Sequence, residues 1–120
     1  MEALFIVLND LAYLDAILQR FVELRVRGAT IIDSMGMARA IMDSEGMNFY
    51  SSSPFQRSLS ADQKSSKTIF TVIPEGQEAS VIVEEVKKIV ASSKREVIGF
   101  MFTVPVSGIF PMKPNNLKSS

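Results

Sequence analysis

Two residues near the middle of the chain, Gly36 and Arg39, have the types and spacing to bind a small anion. A glycine lets successive backbone N–H groups point to one side, and a guanidinium donates paired hydrogen bonds to a carboxylate or phosphate. Gly36, Met37 and Arg39 are therefore candidate ligand-binding residues. The same residues also fit a bulge in a strand with a solvated arginine, and the sequence leaves both interpretations open.

Lys94 and Arg95 form a second basic group, just before the apolar stretch from Val97 to Val104. Their side chains could hold a phosphate or a carboxylate across an interface between two copies of the chain. A solvated turn is the alternative, because charged pairs are common in turns.

Three aromatic residues, Phe49, Tyr50 and Phe55, stand in an otherwise polar, serine-rich segment at 43–66. Aromatic anchors of this kind are typical of a segment that becomes ordered when it binds another protein. We therefore expect them to contact a partner protein, and folding back onto the sheet is the alternative. Because the segment has few branched apolar residues, we expect it to be mobile without a ligand.

The absence of whole residue types excludes several chemistries. The chain has no Cys and no His, so thiol catalysis, thiolate metal sites and the commonest general base are all missing. Asp33, Asp43 and Glu45 form neither an acid–base pair nor a calcium-binding alternation by their spacing. We therefore expect neither an enzyme nor a metal site, and no catalytic residue is assigned.

Charge and hydropathy restrict the kinds of partner. Lys and Arg together number 13, as do Asp and Glu, and the resulting net charge of zero argues against a nucleic-acid-binding domain. The apolar run from Leu4 to Leu8 is too short to cross a membrane, and no basic segment precedes it as in a signal peptide. We expect a cytoplasmic protein without membrane insertion.

Hydrophobic periodicity predicts the elements that position these residues within a single domain, residues 1–120. Continuous apolar runs indicate strands, and apolar residues at spacings of three and four indicate helices. Gly28 would end the first helix in a left-handed conformation. The predicted strands are Ala3–Leu8, Ala29–Ile41, Lys67–Ile73 and Val97–Val104, with helices over the stripes Leu11–Val22 and Ala79–Val90, a short edge strand Val106–Phe110 and a flexible tail at 112–120.

The order β-α-β-β-α-β predicts an α+β, ferredoxin-like sandwich, in which an antiparallel four-stranded sheet carries two helices on one face. The strands are apolar on both faces, since Phe5 and Val7 alternate with Leu4 and Ile6. Because the helices can cover only one face, we expect copies of the chain to pack together through the other.

Three stretches resemble the nitrogen-regulatory PII signal-transduction superfamily, and the resemblance extends from Ala3 to about Val106. Gly28-Ala29-Thr30-Ile31 followed by Gly36-Met37-Ala38-Arg39 is similar to a strand and the base of that family's long T-loop. Lys67 to Pro74 is similar to the strand that returns from the loop. Gly99 to Val106 is similar to the strand that follows the family's B-loop.

This resemblance implies a PII-like homotrimer that regulates other proteins and is not an enzyme. In that family, effectors such as ATP and ADP bind in clefts between subunits, and the ligand state orders the T-loop, which contacts a target protein. Carried over by position, Gly36, Met37 and Arg39 match the base of the T-loop, and Gly99 matches the B-loop glycine. The segment at 43–66 corresponds to the T-loop itself.

The chain departs from the family at residues that would contact phosphate. Phe100 stands where the family has a lysine, Ala40 where it has a glutamine, and Ala38 where it has a glycine. The resemblance therefore implies either an adenine nucleotide or another small anionic effector. One alternative is a trimeric interaction module of the same fold without a ligand. A further one, a trimeric metal-tolerance protein of similar fold, is disfavoured by the absence of His and Cys.

Overall fold

The computed structural model describes residues 1–43, 66–95 and 97–115. Four strands and three helices alternate along these residues, with a short 3-10 turn at Leu11–Tyr13 before the first helix. The strands are β1 (Glu2–Leu8), β2 (Thr30–Ser34), β3 (Ser66–Ile73) and β4 (Gly99–Pro105), and the helices are α1 (Leu14–Glu23), α2 (Met37–Asp43) and α3 (Ala79–Val90).

The strands form one antiparallel sheet in the order β2-β3-β1-β4. β1 lies at its centre, and Phe5 pairs with Phe70 on β3 and with Phe102 on β4. The structure therefore confirms an α+β chain built on a four-stranded antiparallel sheet. Its strand order is compatible with the ferredoxin-like arrangement.

The core lies between one face of the sheet and helices α1 and α3. Alternate residues of a strand point to the same face, and those of β1 and β3 that face the helices are buried except for Glu2 and Lys67 near the strand ends. An ion pair between Arg20 on α1 and the half-buried Glu85 on α3 links the two helices, and Lys88, one turn further along α3, forms a second ion pair with Glu85. The buried apolar residues of this core are Leu4, Ile6, Leu8, Ile17, Phe21, Ile69, Ile73, Ala79, Ile82 and Val86.

Helix α1 ends at a left-handed residue, and that residue is Arg25, not Gly28. Val26 N–H donates to Phe21 O over 2.9 Å and Arg25 N–H donates to Val22 O over 3.1 Å, while Arg25 has a φ of 63°. These two bonds are the pair that ends many helices in a Schellman motif. Gly28 instead accepts a hydrogen bond at its carbonyl from the buried Thr71 hydroxyl, over 2.5 Å.

Two other predictions about the elements are wrong. The strand predicted at Ala29–Ile41 ends at Ser34, and the chain then turns into helix α2. Met, Ala and Arg, which fill much of α2, are strong helix formers, so local propensity favours a helix after the glycine. Residues 106–110 form no strand within the chain, because β4 ends at Pro105 and no further strand lies beside it among the described residues.

In the part of the chain that the structure describes, no helix has the length and apolar character needed to span a bilayer.

Candidate functional site

A cleft of about 470 Å³ opens at the end of the sheet where β2 ends and β3 begins. β1 ends at the same end of the sheet, and β4 begins there. Each of the four strands therefore contributes at least one residue to the lining of the cleft. The described residues that line the cleft are Val7, Asn9, Ser34, Met35, Gly36, Met37, Arg39, Ser66, Thr68 and Phe100.

Three hydroxyl groups form a connected network on the floor of the cleft. Ser34 Oγ lies 3.0 Å from Ser66 Oγ, and Thr68 Oγ1 donates to Ser34 Oγ over 3.1 Å. Ser66 Oγ also lies 2.8 Å from the Ser34 carbonyl oxygen, to which it can donate. The pairing of Ser34 with Ser66 in the β2–β3 ladder places these groups side by side. A hydroxyl can rotate to donate or accept, so the network can adapt to an incoming polar ligand.

The three residues predicted at the base of the long segment, Gly36, Met37 and Arg39, all line this cleft. They enter helix α2 and do not form a strand bulge, since Ala40 N–H donates to Gly36 O over 3.0 Å. Arg39 is half-buried and is the one charged side chain among the described lining residues. A guanidinium at this position can donate hydrogen bonds to an anionic group.

Apolar side chains form the remaining wall of the cleft. Phe100 is 59% exposed and presents its ring there together with Val7, Met35 and Met37. A ring and thioethers offer contact to a flat or apolar part of a ligand. The combination can hold a small molecule that has an anionic group near Arg39 and an apolar portion against Phe100.

The basic pair Lys94 and Arg95 is not among the described residues that line the cleft. Arg95 Nε lies 3.5 Å from Asp10 Oδ2, and Asp10 also accepts a hydrogen bond from Ala12 N–H over 3.1 Å. Arg95, although distant in sequence, thus lies close in space to Asp10, which precedes α1. A contribution of Lys94 or Arg95 to a ligand bound by another copy stays a prediction.

Gly99, the remaining predicted ligand residue, has a clear structural role. A Cβ atom built on Gly99 would lie 2.0 Å from the backbone oxygen of Val7. β4 therefore approaches β1 so closely at this point that only glycine fits. Its neighbour Phe100 reaches the cleft, whereas Gly99 lines a smaller apolar cavity of about 70 Å³ against the core.

The aromatic residues predicted to contact a partner, Phe49, Tyr50 and Phe55, lie outside the described residues. So do the other residues of 44–65, while Asp43 and Ser66 mark the two ends at which the described chain meets that segment. Among the described residues, no group of three or more His, Cys, Asp and Glu side chains could hold a metal ion.

Sequence reasoning missed four polar residues of the cleft: Asn9, Ser34, Ser66 and Thr68. Small polar residues at strand ends are common, so their types alone carried no signal. The alternation of Thr30, Ile32 and Ser34 along β2 was readable, but the register that brings Ser34 to Ser66 depends on a pairing across more than thirty residues.

The sheet face opposite the helices, called the open face below, carries no charged side chain in its described strands. Four phenylalanines stack across it, with ring centroids 5.5 Å apart for Phe5 and Phe70, 4.9 Å for Phe5 and Phe102, and 6.1 Å for Phe100 and Phe102. Phe102 is 43% exposed. The residues of the open face are Ala3, Phe5, Val7, Thr30, Ile32, Ser34, Ser66, Thr68, Phe70, Val72, Phe100, Phe102 and Val104.

No protein-family model matches the chain, and no curated protein matches its sequence.

Proposed function

We propose that this chain is a non-enzymatic regulatory protein that binds a small anionic ligand in the cleft and transmits the ligand state to a protein partner. The observation that carries this proposal is the position of Arg39. It is the one charged side chain among the described residues of a cleft that also contains three hydroxyls. Charge-assisted hydrogen bonds from such a group hold carboxylates and phosphates strongly.

The proposed route of transmission runs through the hydroxyl network. Ser66 is the first residue of β3 and contacts both the hydroxyl and the carbonyl of Ser34. A ligand oxygen that competes for these hydroxyls would change the contacts of the residue that directly follows 44–65. The segment 43–66, with Phe49, Tyr50 and Phe55, would then present a different surface to the partner.

We also propose that three copies associate through their open faces, so that the cleft lies beside a neighbouring copy. The open face is uncharged and mostly apolar, and it is larger than an isolated exposed side chain would account for. Phe100 belongs both to this face and to the cleft, so association would bring a second copy to the ligand. The resemblance to the PII superfamily supports the same arrangement, and ATP and ADP are therefore the first ligands to test.

Isothermal titration calorimetry tests the ligand proposal. The titrants are ATP, ADP and a set of small carboxylates and phosphates, added to the wild type and to Arg39→Ala. Because a hydrogen bond to a charged group contributes about 1.5–3 kcal/mol, Arg39→Ala should weaken binding by about tenfold or more. Arg27→Ala removes an exposed arginine that does not line the cleft, and it should bind as the wild type does.

Two results would contradict the ligand proposal. One is an absence of binding by the wild type to every titrant, and the other is equal affinity of the wild type and Arg39→Ala.

The second candidate function is an interaction module without a ligand, which the exposed and mostly apolar open face favours. In that case Arg39→Ala would leave binding to the protein partner unchanged, and no titrant would alter it.

A further inference from the structure

The outer edge of β4 has no strand beside it among the described residues. β4 is the last strand in the order β2-β3-β1-β4, and β1 pairs with its inner side. Two hydrogen bonds show which groups point inward: Asn9 N–H donates to Ile98 O over 2.8 Å, and Val106 N–H donates to Met1 O over 3.0 Å. In an antiparallel ladder every second residue directs its backbone groups to the same side. The odd-numbered residues from 99 to 105 therefore direct theirs outward.

These outward groups form a template for another strand. Gly99, Met101 and Thr103 each direct an N–H and a C=O outward, whereas Pro105 has only a carbonyl there. Edge strands are usually protected by a lysine, by short length or by a covering element. β4 has seven residues and none of them is charged, so only Pro105 limits pairing along this edge.

A groove of about 480 Å³ lies on the helix side of the sheet, between helix α3 and the residues Thr103 of β4 and Glu2 of β1. Side chains of a strand alternate between two faces. A strand added to the edge of β4 would therefore direct alternate side chains towards this groove and towards the open face. Both surfaces are available in the part of the chain that the structure describes.

Residues 106–110, Val-Ser-Gly-Ile-Phe, have a composition typical of a strand, but they pair with no strand among the described residues. Valine, isoleucine and phenylalanine favour strands, yet Ile109 is 51% exposed and Phe110 is 86% exposed. Val106 remains bonded to Met1 on the inner side of β4, so the segment leaves in line with that strand. Pro111 and Pro114 remove two backbone donors from the residues that a hairpin back along β4 would need.

We propose that residues 106–110 of one copy pair as an added strand with the outer edge of β4 in a second copy of this chain. Neither the segment nor the edge carries a charge, and the whole chain has a net charge of zero, so no like-charge repulsion opposes the contact. Each copy then gives its segment to the next, and such head-to-tail contacts close into a ring when the rotation allows. The inference concerns how copies are joined, and it holds with or without a ligand in the cleft.

The test measures particle mass by light scattering after size-exclusion chromatography, over a range of protein concentrations. Thr103→Pro removes an outward N–H and leaves the inward ladder to β1 intact. The double variant Ile109→Pro with Phe110→Pro removes a donor whichever side of the segment faces β4. Thr103→Ala, which keeps the N–H, and Met112→Ser, which alters a 98% exposed side chain beyond the segment, are the controls. Far-UV circular dichroism checks that each variant is folded.

We expect an oligomeric wild type, a dissociation constant raised by about tenfold or more in both proline variants, and controls within about twofold of the wild type. A monomeric wild type, or wild-type masses in both proline variants, would overturn the proposal. If only Thr103→Pro dissociates, another element covers β4 and the assignment of residues 106–110 is wrong. Failure of the ligand proposal would leave all these masses unchanged, because none of the altered residues lines the cleft.

Discussion

The close approach of β4 to β1 at Gly99 predicts a large loss of stability for Gly99→Ala. The added Cβ would lie 2.0 Å from Val7 O, 3.1 Å from Val7 C and 3.2 Å from Leu8 Cα. Real Cβ atoms essentially never come within 3.0 Å of such atoms, so the strands would have to separate by about 1 Å. All three atoms belong to the backbone, and no change of rotamer can relieve the clash.

The magnitude follows from what that separation disturbs. It acts on the hydrogen bond between Asn9 N–H and Ile98 O, whose length is 2.8 Å. It also shifts Leu8, which is buried in the core. An unsatisfied backbone group costs about 1–3 kcal/mol, and a forced shift in a packed core costs a similar amount. Because the two effects overlap, we expect Gly99→Ala to lower the free energy of unfolding by about 2–4 kcal/mol.

Urea unfolding followed by circular dichroism measures this change. Gly28→Ala and Gly36→Ala are matched controls, because a Cβ at either position meets nothing within 4 Å and neither glycine has a positive φ. Both controls should stay within about 1 kcal/mol of the wild type. A Gly99→Ala variant as stable as the controls would refute the close approach of the two strands.

Two further substitutions test local features of the helices. Arg25→Gly should raise the free energy of unfolding by about 1 kcal/mol in the same urea titration, because glycine adopts a φ of 63° without strain; Arg27→Gly is its control and should not stabilise. Glu85→Gln should reduce the loss of stability in acid. The hydrogen bond from Lys88, together with Arg20, lowers the pKa of Glu85 below 4.5, so its contribution is present above that pH and is lost as the pH falls through the folded-state value. Thermal unfolding from about pH 7 to pH 3 should show a shallower decline in the variant, and equal declines would contradict the assignment.

The sequence predicted the elements whose patterns are long and regular. β1, β3, α3 and the helical stripe before Glu23 were all recognisable from apolar spacing, because each buries a continuous row of side chains against the same core. The α+β class and the antiparallel sheet followed from the order of these elements. The apolar residues of each element recur at a regular spacing because they are buried on one face, and this spacing is what predicts the element.

The elements that were misjudged depend on contacts that spacing does not record. Arg25 ends α1 because Val26 folds back to pack near Phe21 in the core, which outweighs the unfavourable φ of the arginine. β2 stops at Ser34 although apolar residues continue, since the chain after Gly36 is rich in helix formers. The cleft was predicted only in part, because Gly36 to Arg39 form a recognisable group whereas the serine pairing depends on register.

The hydrogen bond and strand pairing between Ser34 and Ser66 also determine how the sheet responds to a change in the length of the chain between them. β2 and β3 are held in register through Ser34 and Ser66, with Asp33 and Lys67 adjacent and 2.5 Å apart at their charged atoms. The entropic contribution to the free energy of closing a flexible loop rises by only about 0.6 kcal/mol for each doubling of the loop length. A change in the number of residues between Ser34 and Ser66 would therefore alter the stability of the sheet only slightly through loop-closure entropy, because the contacts that hold β2 to β3 lie within the two strands.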